Sequence, residues 1–355
     1  MPCYILLTGA NGFVAQHILS QLLQAGHSVR AVVRTQFKAD QLSTTFRAFT
    51  SAQFETHVVP DITAPSAFDE ALTSSRPFDG VIHTASPFNY RAVSSNLEFL
   101  EPAVKGTTEI LSSITRVAPS VKRVVLTSSM AAVINWGAPK ETDPPKVYTD
   151  ADWNPISWDG ALATDSMNLA YSASKTFAEK TAWDFISNKK PGFDLVTINP
   201  PMVYGPYVDP AVYKTPEDLN QSNFNLWRNF LEPSLKSTSP LPPNGLHLYV
   251  DVRDMARAHV LALLKPEAGG KRFVIGGGGV SNQKIANIFR RTLPKLADRI
   301  PRGEPDKAEL PKGVFTLDAS LAREVLGLEF ISPEDTFKQI AIQLAQVSES
   351  GNKST

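Results

Sequence analysis

The first fifteen residues constrain what the rest of the chain can be. Tyr4-Ile5-Leu6-Leu7-Thr8 is a short apolar run. Gly9-Ala10-Asn11-Gly12 follows, and then Val14, Ile18, Leu19, Leu22 and Leu23 recur at helical spacing. That order reads as strand, tight turn, helix. Gly9 lets the backbone turn sharply. Gly12 has no side chain, so a pyrophosphate can approach the helix N-terminus, where free N–H groups and the helix dipole favour negative charge. Ala15 stands where a third glycine would be expected and is small enough for close helix–strand packing. An ordinary tight strand-to-helix turn is the competing reading of these residues alone.

The pattern then repeats. Strands are expected at Ser28–Val33, Phe54–Val59, Gly80–Thr84, Arg123–Thr127 and Leu195–Ile198. Helices are expected between them near Ala39–Phe49, Pro65–Leu72, Leu97–Val117 and Asn168–Asn188. Short apolar strands alternating with helices predict an α/β fold: a Rossmann doubly wound parallel sheet, buried on both faces. After Asn199 the alternation breaks into a proline-rich stretch of loop and short helix to about Pro243. Tyr249–Asp251 leads into a helix over Val252–Leu264, and Lys271–Ile275 reads as another strand. The expected organisation is a nucleotide-binding lobe (1–200 and 246–276) interleaved with a smaller, mostly helical substrate lobe (201–245 and 277–347). A polar tail, 348–355, is expected to be flexible.

Bulk properties exclude several classes of partner. Lys plus Arg and Asp plus Glu both number 35, so no charge excess suggests nucleic acid or an anionic membrane. Cys3 is the only cysteine, which rules out an internal disulfide and suits the cytoplasm. No apolar run reaches spanning length. The six histidines (17, 27, 57, 83, 247 and 259) show no metal-ligand spacing, and no G-x-S-x-G elbow is present. His83, in an apolar strand, reads as a core histidine. Gly276–Gly279 reads as a flexible turn, with Ser281 capping the next helix. A monomer or homodimer acting on a small molecule is the expectation.

Ligands of such a sheet bind outside the carboxyl ends of its strands. A binder of the unphosphorylated dinucleotide places an acid roughly 20 residues beyond the glycines. Here that position reads Val32-Val33-Arg34-Thr35. Arg34 can grip a 2′-phosphate in bidentate fashion and Lys38 can add charge, although both could be solvated side chains. Cations at a helix start are favoured when an anion is near, so NADPH is the expected cofactor. Asp61 and Ile62 follow the third strand, where a side-chain oxygen and a backbone N–H could read the adenine edge; Asp61 could equally close a turn.

The reacting group is expected in Tyr171-Ser172-Ala173-Ser174-Lys175. Tyrosine and lysine at i and i+4 share one helix face. A lysine cation beside a phenol favours phenolate, and the phenol can pass its proton to a carbonyl oxygen as hydride reaches carbon. A serine at the end of the fifth strand, Ser128 or Ser129, can polarise the same carbonyl.

Together these residues resemble the extended short-chain dehydrogenase/reductase family. The resemblance is carried by Thr8–His17, Val58–Thr63, His83–Phe88, Arg123–Val133, Trp153–Pro155, Tyr171–Lys180, Asn199–Pro206 and Tyr249–His259. It is similar above all to the fungal NADPH-dependent aldehyde and ketone reductases of the methylglyoxal type, related to dihydroflavonol 4-reductases. The resemblance implies roles at matching positions. Gly9, Ala10, Asn11, Gly12, Phe13 and Val14 would hold the pyrophosphate, Arg34 and Lys38 the 2′-phosphate, and Asp61 and Ile62 the adenine. Thr84, Ala85 and Ser86 would line the nicotinamide ribose, which Lys175 could also reach. Pro200 and Val203 would border the carboxamide, and Ser222 could reach the phosphates. Ser129, rather than Ser128, would join Tyr171 and Lys175 as the catalytic set. Phe88, Met130, Met202 and Trp227 would shape the substrate pocket beside Ser129 and Tyr171. Lys105 stands where many relatives carry an asparagine for a proton relay.

The implied function is NADPH-dependent reduction of an aldehyde or ketone to the alcohol. A sugar-nucleotide epimerase holding NAD and a non-catalytic NADPH-binding protein are the alternatives. The first would need an acid near position 34; the second leaves Ser129, Tyr171 and Lys175 without a purpose.

Overall fold

The computed structural model describes residues 2–86 and 95–351. Its strands are β1 (Tyr4–Thr8), β2 (Ser28–Val33), β3 (Phe54–Val58), β4 (Gly80–His83), β5 (Arg123–Thr127), β6 (Val147–Tyr148), β7 (Asp194–Asn199), β8 (Met202–Tyr204), β9 (Leu248–Asp251), β10 (Arg272–Val274), β11 (Gly278–Gly279) and β12 (Thr316–Leu317). Its α-helices are α1 (Phe13–Gln24), α2 (Gln36–Thr45), α3 (Asp69–Leu72), α4 (Leu97–Val117), α5 (Trp158–Ala163), α6 (Met167–Lys189), α7 (Gln221–Phe230), α8 (Val252–Leu264), α9 (Asn282–Thr292) and α10 (Pro333–Gly351).

The main sheet has seven strands in the order β10-β7-β5-β4-β1-β2-β3, all parallel. Chain order reverses between β1 and β4, which makes their carboxyl ends the switch point where a dinucleotide binds. Strand alternation fills both faces. Ile5 and Leu7 pack with Ile18, Leu19, Leu22, Met255 and Ala256 on the α1 and α8 side. Tyr4 and Leu6 pack with Ile110, Leu111 and Ile114 of α4 on the other. A further core joins α7, α9 and α10 through Phe230, Ile285, Phe289, Phe337 and Leu344.

Three local expectations are corrected. The stretch after Asn199 contains a strand, β8, which pairs in parallel with β9. Gly278 and Gly279 are β11, paired antiparallel with β9 rather than a free turn. Their glycines answer crowding: a Cβ on Gly277 would lie 2.8 Å from the Tyr249 hydroxyl, and one on Gly279 2.6 Å from Leu310 Cδ1. Ser281 does cap α9, accepting from the Lys284 amide at 3.0 Å. Finally, α10 runs to Gly351, so 348–351 continue the helix; 352–355 lie outside the described residues.

Candidate active site

The turn after β1 is shaped for close approach. Gly9 has φ +66°, and a Cβ there would sit 2.9 Å from the Ala85 backbone. Gly12 is the N-cap of α1; it makes no side-chain cap, and the first turn holds no acid. The opening of α1 therefore keeps donors and positive potential for an anion. Thr8 ties the switch point together. Its carbonyl accepts from Thr84 Oγ1 at 2.7 Å, and its hydroxyl is bonded to the Ala85 amide at 3.2 Å and to His83 Nδ1 at 2.8 Å. His83 is buried, and burial holds its ring neutral by lowering the pKa to about 3.

At the end of β2, Arg34 is exposed and makes no salt bridge or side-chain hydrogen bond among the described residues. Thr35 caps α2 by accepting from the Lys38 amide at 3.3 Å. Lys38 extends to Gln41. Asp61 closes a turn on Thr63, with Oδ1 accepting from its amide at 2.8 Å and its hydroxyl at 2.7 Å. Arg34 lies close enough to help hold that carboxyl below its usual pKa, behind the Thr63 hydrogen bonds. Ile62 turns inward against Gly106 of α4. These residues fit a dinucleotide bearing a 2′-phosphate: an unfilled helix start, a glycine cradle, and two cations where an acid would otherwise stand.

The centre of the site is the packing of α6 on the end of β5. Tyr171 and Lys175 lie on one face of α6; Tyr171 reaches the open cleft, and Lys175 sits deeper, beside Ala85, Ser86 and Gly106. Tyr171 hydrogen-bonds Ser129, and Lys175 Nζ donates to Ser86 Oγ at 3.0 Å. The two serines separate by strand alternation. Ser128 is buried and donates to Glu179 at 2.6 Å, while Ser129 faces the cleft and caps the turn Met130–Ala132. Burial pushes the Tyr171 phenol up to about 12, partly offset by Ser129, and lowers the Lys175 ammonium to about 8. The expected depression of the phenol's pKa by Lys175 is therefore not met. The ammonium points to Ser86 and lies 5.9 Å from the ring centroid, so burial dominates.

A cleft of about 700 Å³ opens in front of Ser129 and Tyr171. Ile134, Trp136, Leu169, Met202, Leu246 and Phe315 form much of its apolar wall. Met202 is thus where it was expected. Met130 is not: it is fully buried beneath the turn, packed with Val133, Ile134, Tyr148 and Phe315, and Ala131 occupies the wall. Trp227 packs on Phe224 of α7 against the core of the helical region, with ring centroids 6.1 Å apart, and does not line the cleft. Phe88 lies outside the described residues. Pro200 accepts from the Met130 amide at 2.8 Å. Val203 O accepts from the buried Ser222 hydroxyl, itself bonded to Asn220 Nδ2, so that hydroxyl links α7 to β8. Lys105 points to solvent and pairs with Glu101 at 2.8 Å; Ala103, Gly106 and Thr107 are the α4 residues beside Lys175.

Asn199 stands at a strand end to which the binding rule for such sheets points, but sequence reasoning assigned no role to Glu179, Arg272 or Asn154, which with it surround the Ser129 turn. One signal was present: Glu179 lies on the face of Tyr171 and Lys175, two turns on. The cleft residues Leu310, Phe315 and His247 carry no such signal, because only the tertiary fold brings them to this wall.

The family model described as the NAD dependent epimerase/dehydratase family matches residues 5–276. The chain belongs to this family, the extended short-chain dehydrogenases/reductases. Among extended reductases it is 42% identical to the ketoreductase azaE of Aspergillus niger, over 92% of this chain and 93% of the relative. It is 36% identical to an NADPH-dependent methylglyoxal reductase of Saccharomyces cerevisiae, over 96% of this chain and 97% of the relative. The crystal structure of a yeast methylglyoxal/isovaleraldehyde reductase complexed with NADPH superimposes with a TM-score of 0.89 at 34% identity, covering 98% of this chain and 99% of that one. As an extended reductase the chain has the Rossmann-like seven-stranded parallel sheet that its sequence implies. No helix among the described residues is long and apolar enough to cross a membrane.

Proposed function

We propose that Ser129, Tyr171 and Lys175 reduce a carbonyl group held in the adjoining cleft. The protein is an NADPH-dependent aldehyde or ketone reductase. NADPH supplies the hydride. Tyr171, protonated at neutral pH, donates its phenolic proton to the carbonyl oxygen as that oxygen gains charge. The Ser129 hydroxyl donates a second hydrogen bond to the same oxygen and stabilises the developing alkoxide. Lys175 places positive charge behind the phenol and offsets the negative charge left on it. The turn from Gly9 to Val14 holds the pyrophosphate, Arg34 and Lys38 the 2′-phosphate, Asp61 and Ile62 the adenine, and Thr84 to Ser86, Pro200 and Val203 the nicotinamide end.

The observation that carries this reading is the meeting of Ser129 and Tyr171 at the mouth of a large apolar cleft. Sites of about 300–1,000 Å³ enclose ligands much bulkier than a small dicarbonyl. The substrate is therefore a medium-sized to large apolar ketone or aldehyde. Its walls draw on both the nucleotide lobe and the 201–245 and 277–347 segments. The reacting side chains come from one chain, so a monomer or homodimer is competent, and the single cysteine suits the cytoplasm.

The test is oxidation of NADPH and of NADH against methylglyoxal, isovaleraldehyde, diketones, aryl ketones and β-keto esters. Turnover with NADPH, fastest on the bulky members, is expected. Tight NADPH binding without turnover of any member would overturn the reading, and a preference for NADH would overturn the role of Arg34.

A further inference from the structure

Glu179 is the most heavily engaged side chain near the site, and the reaction just described gives it no task. Its side chain is 1% exposed. It accepts from Ser128 Oγ at 2.6 Å, Asn199 Nδ2 at 2.7 Å, Thr197 Oγ1 at 2.9 Å and Arg272 Nε at 2.7 Å. These partners come from the end of β5, from β7 and from the edge strand β10. Glu179 itself sits one turn beyond Lys175 and two beyond Tyr171 on α6. One carboxylate thus joins the helix bearing the proton donor to the strand end bearing Ser129.

Arg272 extends the connection around the other side. Its guanidinium lies 3.7 Å from the Trp153 ring centroid and donates to the carbonyls of Asp150 and Asp152. Asn154, next in the chain, donates from Nδ2 to Ala131 O at 3.0 Å and from its amide to Ala132 O at 2.9 Å. Asn199 Nδ2 also donates to Ser129 O at 3.3 Å. The short turn that carries Ser129 is therefore gripped on both sides.

We propose that Glu179 and Arg272 are positioning residues that set the Ser129 hydroxyl against Tyr171. The proposal rests on the assignment of Ser129 and Tyr171 to the reaction. Its physical basis is that a buried ion pair adds little stability over apolar packing, whereas a fully bonded carboxylate fixes where each partner must lie. By holding Ser128 inward, Glu179 also leaves Ser129 as the residue that faces the cleft, since neighbours at a strand end point in opposite directions.

The experiment is a double-mutant cycle between Glu179→Gln and Ser129→Ala, with NADPH affinity measured alongside kcat. A small misplacement of reacting groups can cost about 100-fold, so Glu179→Gln is expected to lower kcat about 10- to 100-fold with NADPH Kd moved less than about threefold. In the Ser129→Ala background, where the hydroxyl to be positioned is gone, Glu179→Gln is expected to cost less than about twofold more. The same loss in both backgrounds, or no loss in the parent, would overturn the proposal. Should Glu179→Gln fail to fold, Ser128→Ala keeps Asn199, Thr197, Arg272 and Trp183 on the carboxylate and is expected to lower kcat by about three- to tenfold; an unchanged kcat there would overturn it too. Arg272→Lys keeps the charge without the planar fork, and wild-type kcat in that variant would remove Arg272 from the proposal. Full activity in Tyr171→Phe would instead overturn the site assignment beneath it.

Discussion

Lys175 Nζ donates to the hydroxyl of Ser86 at 3.0 Å. The contact ties α6 to the end of β4 and holds the ammonium 5.9 Å from the Tyr171 ring centroid. Burial lowers the Lys175 pKa to about 8, and that of Tyr171 stands at about 12. The charge on Lys175 is complete below about pH 8 and is lost as the pH rises through it, while Tyr171 keeps its proton. For carbonyl reduction, kcat/KM is expected to fall along a single limb above about pH 8. Lys175→Met should lower the plateau and abolish the limb. A wild-type profile flat to about pH 10, or a limb that survives in Lys175→Met, would sink the assignment.

Arg34 stands exposed at the end of β2 with no salt bridge among the described residues. Arg34→Ala is expected to raise KM for NADPH by about 10- to 100-fold, the worth of one or two charge-assisted hydrogen bonds, and to leave KM for NADH nearly unchanged. Steady-state kinetics with both cofactors measure this. Equal losses with the two would mean that Arg34 acts on something other than the 2′-phosphate.

Gly9 and Gly26 separate backbone cost from crowding. Both have positive φ, +66° and +82°, but a Cβ on Gly9 meets the Ala85 backbone at 2.9 Å whereas one on Gly26 meets nothing within 4 Å. Gly26→Ala is expected to cost about 1–2 kcal/mol for the left-handed backbone alone. Gly9→Ala should cost more and weaken NADPH binding as well, because Ala85 and Thr84 must shift. Urea unfolding and NADPH titration of the two variants provide the comparison; equal stability losses with unaltered binding would contradict it.

Acid should destabilise the fold through buried histidines. Burial lowers His83 to about 3 and His259 to about 4, against an ordinary 6.5. His259 donates from Nδ1 to Met255 O at 2.8 Å, which leaves Nε2 to accept from Thr127 Oγ1 at 2.7 Å. Each ring is neutral when folded and gains a proton on unfolding below about pH 6.5, so its contribution is full above that value and is lost as the pH falls toward the folded pKa. The slope is about 1.4 kcal/mol per pH unit for each histidine. Urea midpoints between pH 4.5 and 7 should show a shallower slope for His259→Asn than for the parent. An unaltered slope would count against the linkage.

Local spacing carried a large part of the fold and the reaction. Strand-turn-helix at the start, Tyr171 and Lys175 one helical turn apart, and cations rather than an acid after β2 are all relations among near neighbours in the chain. Backbone geometry turns such relations directly into a shared face or a cradle, so they survive whatever else the chain does. Seven parallel strands followed from the same alternation, with ends displaced by a residue or two.

Tertiary structure decided the rest, because it depends on which distant side chains arrive at the same place. Ser128 and Ser129 are equivalent as a dipeptide; the buried carboxylate of Glu179 takes one inward and leaves the other to the cleft. Met130 and Trp227 are apolar residues that sequence assigned to the pocket, yet Met130 packs in the core beneath the turn and Trp227 against the core of the helical region, while Leu310 and Phe315, far along the chain, form the wall. Lys105 sits on the long helix expected to face the site, but its ammonium turns to water and Glu101. Sequence alone determined the chemistry this protein carries. Burial and long-range packing determined which of its candidate side chains face the substrate, since each apolar or charged group settles where the folded whole solvates it best.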